Sequence, residues 1–123
     1  MIPLDFTGKV ALVTGVGDNE SFAWFIAKSL QAAGAKVALA CHPRVMGIVE
    51  SFLTRDADRE SRLLPDGTEF KPVKVLPCNA EYDTMDDVPA EVKSDRRYAK
   101  FAEYSIQGTV DAVGQEFGGI DIL

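Results

Sequence analysis

A glycine-rich turn near the start of the chain is the first segment whose residue types suggest chemistry. Gly15-Val16-Gly17-Asp18-Asn19-Glu20 comes directly after a short apolar run and directly before a segment with helical periodicity. Glycine lets the backbone approach a pyrophosphate, and a helix N-terminus supplies free N–H donors and the positive end of the helix dipole. Because a tight strand-to-helix turn also needs glycine, the segment indicates either a nucleotide site or a purely structural turn.

A second group of candidates follows the next apolar run, where dinucleotide-binding folds often place an acidic residue that holds the ribose hydroxyls. This chain has Cys41-His42-Pro43-Arg44 there, with no acid. Arg44 could pair with a 2′-phosphate, which would favour NADP, and His42 could stack on adenine. The same four residues also fit an ordinary surface loop.

Other types of catalytic centre find little support. His42 is the only histidine, so neither a histidine-based metal cluster nor a Ser-His-Asp triad can be built within this chain. We interpret Cys78, which follows a proline, as a small buried hydrophobe rather than a nucleophile. Asp86 and Asp87 indicate a solvated face or a helix start rather than a pair of catalytic carboxylates. The sequence therefore predicts no metal site.

The elements that would position these residues alternate between strands and helices. We predict strands at 9–14, 36–41, 73–77 and 120–123, and helices at 22–33, 45–53 and 105–117. The first helix carries an apolar stripe, and the second is expected to turn Ile48, Val49 and Phe52 inward. This alternation is typical of an α/β, doubly wound parallel sheet. The stretch 54–104 is charged and loop-rich, and we interpret it as an insertion. The stripe of the first helix comprises Phe22, Phe25, Ile26, Ser29, Leu30 and Ala33.

The composition fits one folded domain and disfavours some classes of binding partner. The 123 residues are 46% hydrophobic and 26% charged, with a net charge of −6 that disfavours nucleic acid. No apolar run is long enough for a membrane helix, and the first residues do not resemble a secretory signal. Two cysteines indicate reduced thiols in an intracellular or organellar compartment. Because the fourth predicted strand has no loop after it, we expect this chain to be the front half of a larger protein.

Several motifs, in order along the chain, together resemble the enoyl-acyl carrier protein reductases, most of all the plastid type of plants and apicomplexan parasites and its chlamydial relative. A generic short-chain dehydrogenase would lack the long excursion between the third strand and the last helix. The motifs are Gly15-Val16-Gly17-Asp18, Trp24 to Leu30, Leu64-Pro65-Asp66-Gly67, Asp86-Asp87-Val88-Pro89, Arg97-Tyr98-Ala99, and Phe117 to Leu123.

The resemblance implies a Rossmann-type fold of the short-chain dehydrogenase/reductase superfamily, of which 1–123 would form an incomplete, cofactor-binding part. It implies a homotetramer that reduces the trans-2 double bond of enoyl-acyl carrier protein with NADH in type II fatty acid biosynthesis, so NADP is the less expected cofactor. The family's catalytic tyrosine and lysine lie beyond the fourth strand. The chain alone would therefore hold no catalytic residue, and a C-terminal half or a second chain would complete it.

The resemblance also implies a plastid location, in a chloroplast or apicoplast, with the transit peptide absent from this sequence; the alternative is a bacterial cytoplasm. Neither a membrane nor a nucleic acid is an expected partner. Two other functions remain open, namely a truncated or divergent non-catalytic Rossmann module and a different short-chain dehydrogenase/reductase.

The family's cofactor-binding positions can be carried over residue by residue. The family usually has Gly-Tyr-Gly-Trp where this chain has Ser21-Phe22-Ala23-Trp24, so Ser21 gains a hydroxyl that can cap the helix. His42 stands where relatives stack tryptophan on adenine, and Asn79-Ala80-Glu81 replaces Asp-Ala-Ser. The resulting set of expected cofactor-binding residues is Gly15, Val16, Gly17, Asp18, Ser21, Phe22, His42, Asn79, Ala80 and Glu81.

Overall fold

A parallel sheet forms the centre of the molecule, as seen in a computed structural model that describes residues 4–123. The strands β1 (Val10–Thr14), β2 (Lys36–Cys41) and β3 (Lys74–Pro77) pair in the order β1-β2-β3, all parallel. On the other side of β1, Ile122 forms a parallel bridge with Ala11. The order β3-β2-β1-Ile122 is that of a Rossmann sheet. The predicted strand at 120–123 is reduced to this single bridge.

Three α-helices of at least nine residues and three α-helices of a single turn accompany the sheet in the described part of the chain. The predicted bounds of the three longer helices are correct to within one residue at each end. None of the helices that the structure describes is long and apolar enough to cross a membrane. The helices are α1 (Phe22–Ala32), α2 (Met46–Thr54), α3 (Arg59–Arg62), α4 (Ala90–Lys93), α5 (Arg96–Ala99) and α6 (Ile106–Phe117).

The helices cover both faces of the sheet, which explains why β2 is buried from Val37 to Cys41. On one face, Val37 and Leu39 pack in a cluster with Trp24 and Val49 of α1 and α2. On the other face, alternate residues of β1 and β2 pack in a cluster with Val113 of α6. Alternation of side chains along a strand thus assigns each residue to one of two separate cores.

The apolar stripe predicted for α1 proves to be largely exposed. Phe22, Phe25 and Ile26 are 88%, 53% and 54% exposed, whereas Trp24 and Ala27 are fully buried. Trp24 determines this orientation because its ring packs edge-on against Phe52 and Phe70. Periodicity locates an apolar stripe but cannot tell which of two neighbouring stripes lies on the sheet.

The second helix requires a similar correction. Val49 is fully buried and Phe52 packs against the core, as predicted. The prediction for Ile48 is wrong, because its side chain is 50% exposed. Successive residues of a helix point about 100° apart, so Ile48 cannot share the buried direction of Val49.

The excursion between β3 and α6 is more ordered than its sequence suggested. Its residues form a small third core around Val88, Tyr98 and Tyr104. Thr84 and Asp87 make a capping box around a short 3₁₀ turn, with Thr84 N donating to Asp87 Oδ2 at 3.1 Å. The interpretation of Asp86 and Asp87 as a helix start is therefore confirmed for Asp87.

Candidate nucleotide-binding cleft

A cleft that contains five of the ten expected cofactor-binding residues lies at the carboxyl ends of the three strands. It has a volume of about 650 Å³, and α6 forms one of its walls. Open α/β sheets bind ligands outside the carboxyl ends of their strands, where the order of the strands reverses. Five expected residues line this cleft together: Gly15, His42, Asn79, Ala80 and Glu81.

The turn between β1 and α1 has the backbone geometry that its glycines suggested. Gly15 has a φ of +76°, a left-handed conformation in which a side chain would be strained. Gly17 has open space where a Cβ would stand, so a ligand can approach its backbone closely. Val16 is buried and anchors the turn to the core. The glycines therefore leave room for a ligand in addition to making the turn.

The end of this turn caps α1. The Oγ of Ser21 accepts a hydrogen bond from Trp24 N at 3.3 Å, as predicted for an N-cap serine, and the Oδ1 of Asp18 accepts from Glu20 N at 2.9 Å. The first amides of a helix have no partner within the helix, and because Ser21 takes up that of Trp24, the amides of Phe22 and Ala23 are the ones left for a ligand among the described residues. Gly17, Asp18 and Ser21 lie in the turn, outside the lining of the cleft, and Phe22 projects into solvent from the first helical position.

His42 follows β2 and holds hydrogen bonds at both ring nitrogens. Nδ1 accepts from Arg44 N at 3.2 Å, and Nε2 lies 3.2 Å from the hydroxyl of Tyr98. Burial, followed by the nearby Arg44 guanidinium, lowers the pKa of His42 below its ordinary value. The imidazole is therefore neutral at pH 7 and suited to stacking.

Asn79 follows β3 and is a buried polar residue of the lining, with an exposure of 5%. Its side-chain Oδ1 accepts a hydrogen bond from Glu81 N at 3.0 Å, and its backbone N–H donates to the carbonyl of Tyr104 at 2.8 Å. These bonds hold the Asn79-Ala80-Glu81 loop in place at the rim. Ala80 and Glu81 are exposed there, so their side chains can meet a ligand.

The two cysteines differ in environment. Burial raises the pKa of Cys41 to about 12, and its thiol lies 3.1 Å from the sulfur of Met46. A thiol this hard to deprotonate is a core residue rather than a nucleophile. Cys78 is less buried and lines the cleft, where it also packs against the core on the α6 side.

Sequence reasoning missed Tyr98, which contacts both His42 and Arg44. Its ring lies edge-on to His42, and the Arg44 guanidinium lies 5.8 Å from its ring centre. The only signal was its place in the Arg97-Tyr98-Ala99 motif, because nothing in a single sequence links residues 56 positions apart. The apolar wall formed by Ile106 and Val110 was also missed, although both lie in the helix predicted at 105–117.

Comparison with known proteins gives a consistent result. The chain is 41% identical over 122 residues to enoyl-acyl-carrier-protein reductase (NADH) 1, chloroplastic, of Oryza sativa, and 38% identical to the chloroplastic enzyme of Arabidopsis thaliana. Each match covers 99% of this chain but only 32% and 31% of the relative. The enoyl-acyl-carrier-protein reductase (NADH) FabI of Nostoc sp. is 32% identical, and the match covers 98% of this chain and 35% of the relative. No family model matches the chain.

The fold comparison extends this likeness to three dimensions. The crystal structure of Plasmodium berghei enoyl-acyl-carrier-protein reductase with triclosan superposes with a TM-score of 0.85 at 26% sequence identity. The match covers 91% of this chain and 39% of that chain. The predicted Rossmann-type fold and the predicted resemblance are thus confirmed, while the share of the curated relatives that the chain spans is about a third rather than the expected half. This chain is homologous, over nearly all of its length, to about one third of an NADH-dependent enoyl-acyl-carrier-protein reductase.

Proposed function

We propose that this chain provides the NADH-binding part of an enoyl-acyl-carrier-protein reductase, which reduces the trans-2 double bond of its substrate in type II fatty acid biosynthesis. One observation supports this most strongly. The glycine turn, His42 and Asn79 follow three different strands, yet Gly15, His42 and Asn79 line one cleft. The relatives that match nearly the whole chain carry NADH in their names.

The residues of the cleft fit the parts of a dinucleotide. The pyrophosphate would lie against the turn from Gly15 to Ser21, where Gly17 leaves space and the N-terminus of α1 supplies free amides. The adenine would lie between His42 and the loop at Asn79, and Asn79 Oδ1 keeps a second lone pair for the adenine amino group. Val16, Asp18, Phe22, Ala80 and Glu81 would complete this environment.

NADH is the proposed cofactor, and NADP is the less suitable one. Arg44 is exposed and lies over the Tyr98 ring, so a guanidinium is available near the expected ribose. The relatives nevertheless carry NADH in their names, and their likeness to this chain rests on many more positions than Arg44 alone. When bound, the nicotinamide supplies the hydride that adds to the double bond.

The residues of this chain bind and orient the cofactor, and the proton-donating tyrosine and the ribose-binding lysine would lie outside the 123 residues. Tyr98 and Tyr104 support this division, since they are only 4% and 1% exposed and pack in a core of their own. The chain would form part of one Rossmann domain with an insertion at about 54–104, completed by a C-terminal half or a second chain.

The proposed partner is the enoyl-acyl carrier protein, and the proposed assembly is a homotetramer. The chloroplastic relatives support a plastid location, in a chloroplast or an apicoplast, and the Nostoc relative keeps a bacterial cytoplasm as the alternative.

Enzyme assay of the whole protein that contains this chain tests the proposal. We expect oxidation of NADH that depends on an enoyl thioester of acyl carrier protein, and an increase in KM for NADH in Asn79→Leu, which removes the amide from the cleft. Cofactor binding without turnover would identify a non-catalytic Rossmann module instead. Absence of both would contradict the proposal.

A further inference from the structure

The excursion between β3 and α6 places an aromatic side chain against the expected adenine end of the cleft. Tyr98 lies in α5 and is 4% exposed. Its ring centre is 5.8 Å from that of His42, with an angle of 81° between the ring planes, an edge-to-face arrangement. Tyr98 itself packs against Tyr104 at 5.4 Å between ring centres. The tyrosine is therefore held firmly and can hold a neighbour in turn.

The hydrogen bonds of His42 define its tautomer. Because Nδ1 accepts from Arg44 N, it cannot carry the proton of the neutral imidazole. That proton is on Nε2, which donates to the Tyr98 hydroxyl at 3.2 Å. A ring bonded at both nitrogens cannot turn without breaking at least one of these bonds. The position of the imidazole plane is therefore fixed from one side by the backbone and from the other by Tyr98.

Arg44 depends on the same tyrosine. Its guanidinium carbon lies 5.8 Å from the centre of the Tyr98 ring, within the range of a cation–π contact. Asp95 caps α5 by accepting from Arg97 N at 2.8 Å and also pairs with the Arg97 side chain at 3.1 Å. This cap holds the turn that carries Tyr98. Both residues considered for the adenine end, His42 and Arg44, thus rest on one side chain of the excursion.

We propose that Tyr98 is a positioning residue for cofactor binding, which holds His42 and Arg44 in place at the adenine end of the cleft without touching the cofactor itself. The proposal rests on the proposed function, since it deepens the account of the same site. It assigns a role to the excursion between β3 and α6, which supplies the support for two residues that follow β2.

The charges around His42 agree with this arrangement. Arg44 and Arg97 face the imidazole together with the carboxylate of Glu81, and Tyr98 is in contact with it. Burial and the two guanidinium groups lower the pKa of His42, whereas Glu81 raises it, and the net shift is downward. The ring therefore stays neutral, the form in which Nδ1 can accept the Arg44 amide.

Two variants separate a positioning role from a merely structural one. Tyr98→Phe keeps the ring that packs on Tyr104 and Arg44 but removes the acceptor for His42. Tyr104→Phe is the matched control, because the Tyr104 hydroxyl is buried and has no hydrogen-bond partner among the described residues. Both should fold, and both remove one hydroxyl from the same small core.

The test combines ¹⁵N NMR of the His42 ring, assigned by its loss in His42→Gln, with NADH titration of the whole protein. We expect a single Nε2–H tautomer in the wild type, a mixture in Tyr98→Phe, and NADH binding weaker by about three- to tenfold in that variant, the effect of one hydrogen bond. Tyr104→Phe should match the wild type in both measurements.

Three results would overturn the inference. An Nδ1–H tautomer in the wild type would do so without any variant. Unchanged NADH affinity in Tyr98→Phe would overturn the inference while leaving the proposed function intact. A wild-type protein that binds no NADH would overturn the proposed function and the inference with it.

Discussion

At the scale of single residues, His42 shows how the environment of one side chain can set the chemistry of a site. An unperturbed histidine is partly charged near neutral pH, with a pKa of about 6.5. Burial, with Arg44 as the second cause, lowers the pKa of this one. Protonation would also remove the lone pair with which Nδ1 accepts the amide of Arg44. The neutral ring is thus the form that the local structure stabilises.

A lowered pKa has a defined consequence for stability. The unfolded chain binds a proton at His42 more readily than the folded one, so the stabilising contribution is complete above about pH 6.5 and declines as the pH falls toward the lowered value. We expect the free energy of unfolding to fall over this range, and His42→Gln to reduce the slope. Urea denaturation of both proteins at a series of pH values measures this, and equal slopes would contradict it.

At the scale of elements, we expect the N-cap of α1 to contribute both to stability and to NADH binding. Ser21 accepts from Trp24 N and so holds the first turn of the helix against the glycine turn. We expect Ser21→Ala to lower stability by about 1 kcal/mol and also to weaken NADH binding. Thermal unfolding and NADH titration measure the two effects separately.

Ser105 provides the matched control for this prediction. It caps α6, where its Oγ accepts from Gly108 N at 3.0 Å, and it is not part of the glycine turn against which the pyrophosphate is proposed to lie. Ser105→Ala should lower stability without changing the dissociation constant of NADH beyond what unfolding explains. Equal losses of NADH affinity in the two variants would show that the Ser21 cap has no local effect on binding.

Much of the element order could be predicted from the sequence, because strands buried on both faces and capped helices leave strong local signals. Pro43 and Gly15 end their strands where expected, and Ser105 and Gly118 bound α6. Asn79 was expected in the site only through the family resemblance, and its proximity to Gly15 and His42 is explained by parallel strands, which bring their carboxyl ends to one edge.

Other features depend on packing and could not be predicted from one sequence. The burial of Trp24 in place of its apolar neighbours in α1 is determined by the rings of Phe52 and Phe70, which come from distant segments. The contact of Tyr98 with His42 depends on the path of the excursion, whose short helices have almost no periodicity. Both features depend on contacts between residues that are far apart in the sequence, which local patterns do not encode.

At the scale of the whole molecule, large apolar side chains are exposed on both faces of the sheet. Ile26, on α1, is 54% exposed and lines two shallow grooves, one shared with Leu4 and one with Ile122. On the other face of the sheet, Ile106 and Val110 are 37% and 40% exposed. Exposed apolar surface on both faces favours association, because association removes this surface from water.

We therefore expect the 123 residues, expressed by themselves, to associate or to be poorly soluble. Sedimentation velocity at several concentrations measures the association, and Ile26→Lys should reduce it, since a charge interrupts the patch on α1. A monomer with a sharp and reversible unfolding transition at low concentration would contradict this expectation.

Equilibrium titration of the whole protein with NADH and with NADPH tests the central claim most directly. The claim is that Gly15, His42 and Asn79 form the adenine and pyrophosphate end of an NADH site. We predict saturable binding of NADH, at least tenfold tighter than NADPH, or about 1.4 kcal/mol, and weaker binding in Asn79→Leu. A tenfold preference for NADPH would show that Arg44 sets the specificity, and no binding of either cofactor would contradict the account.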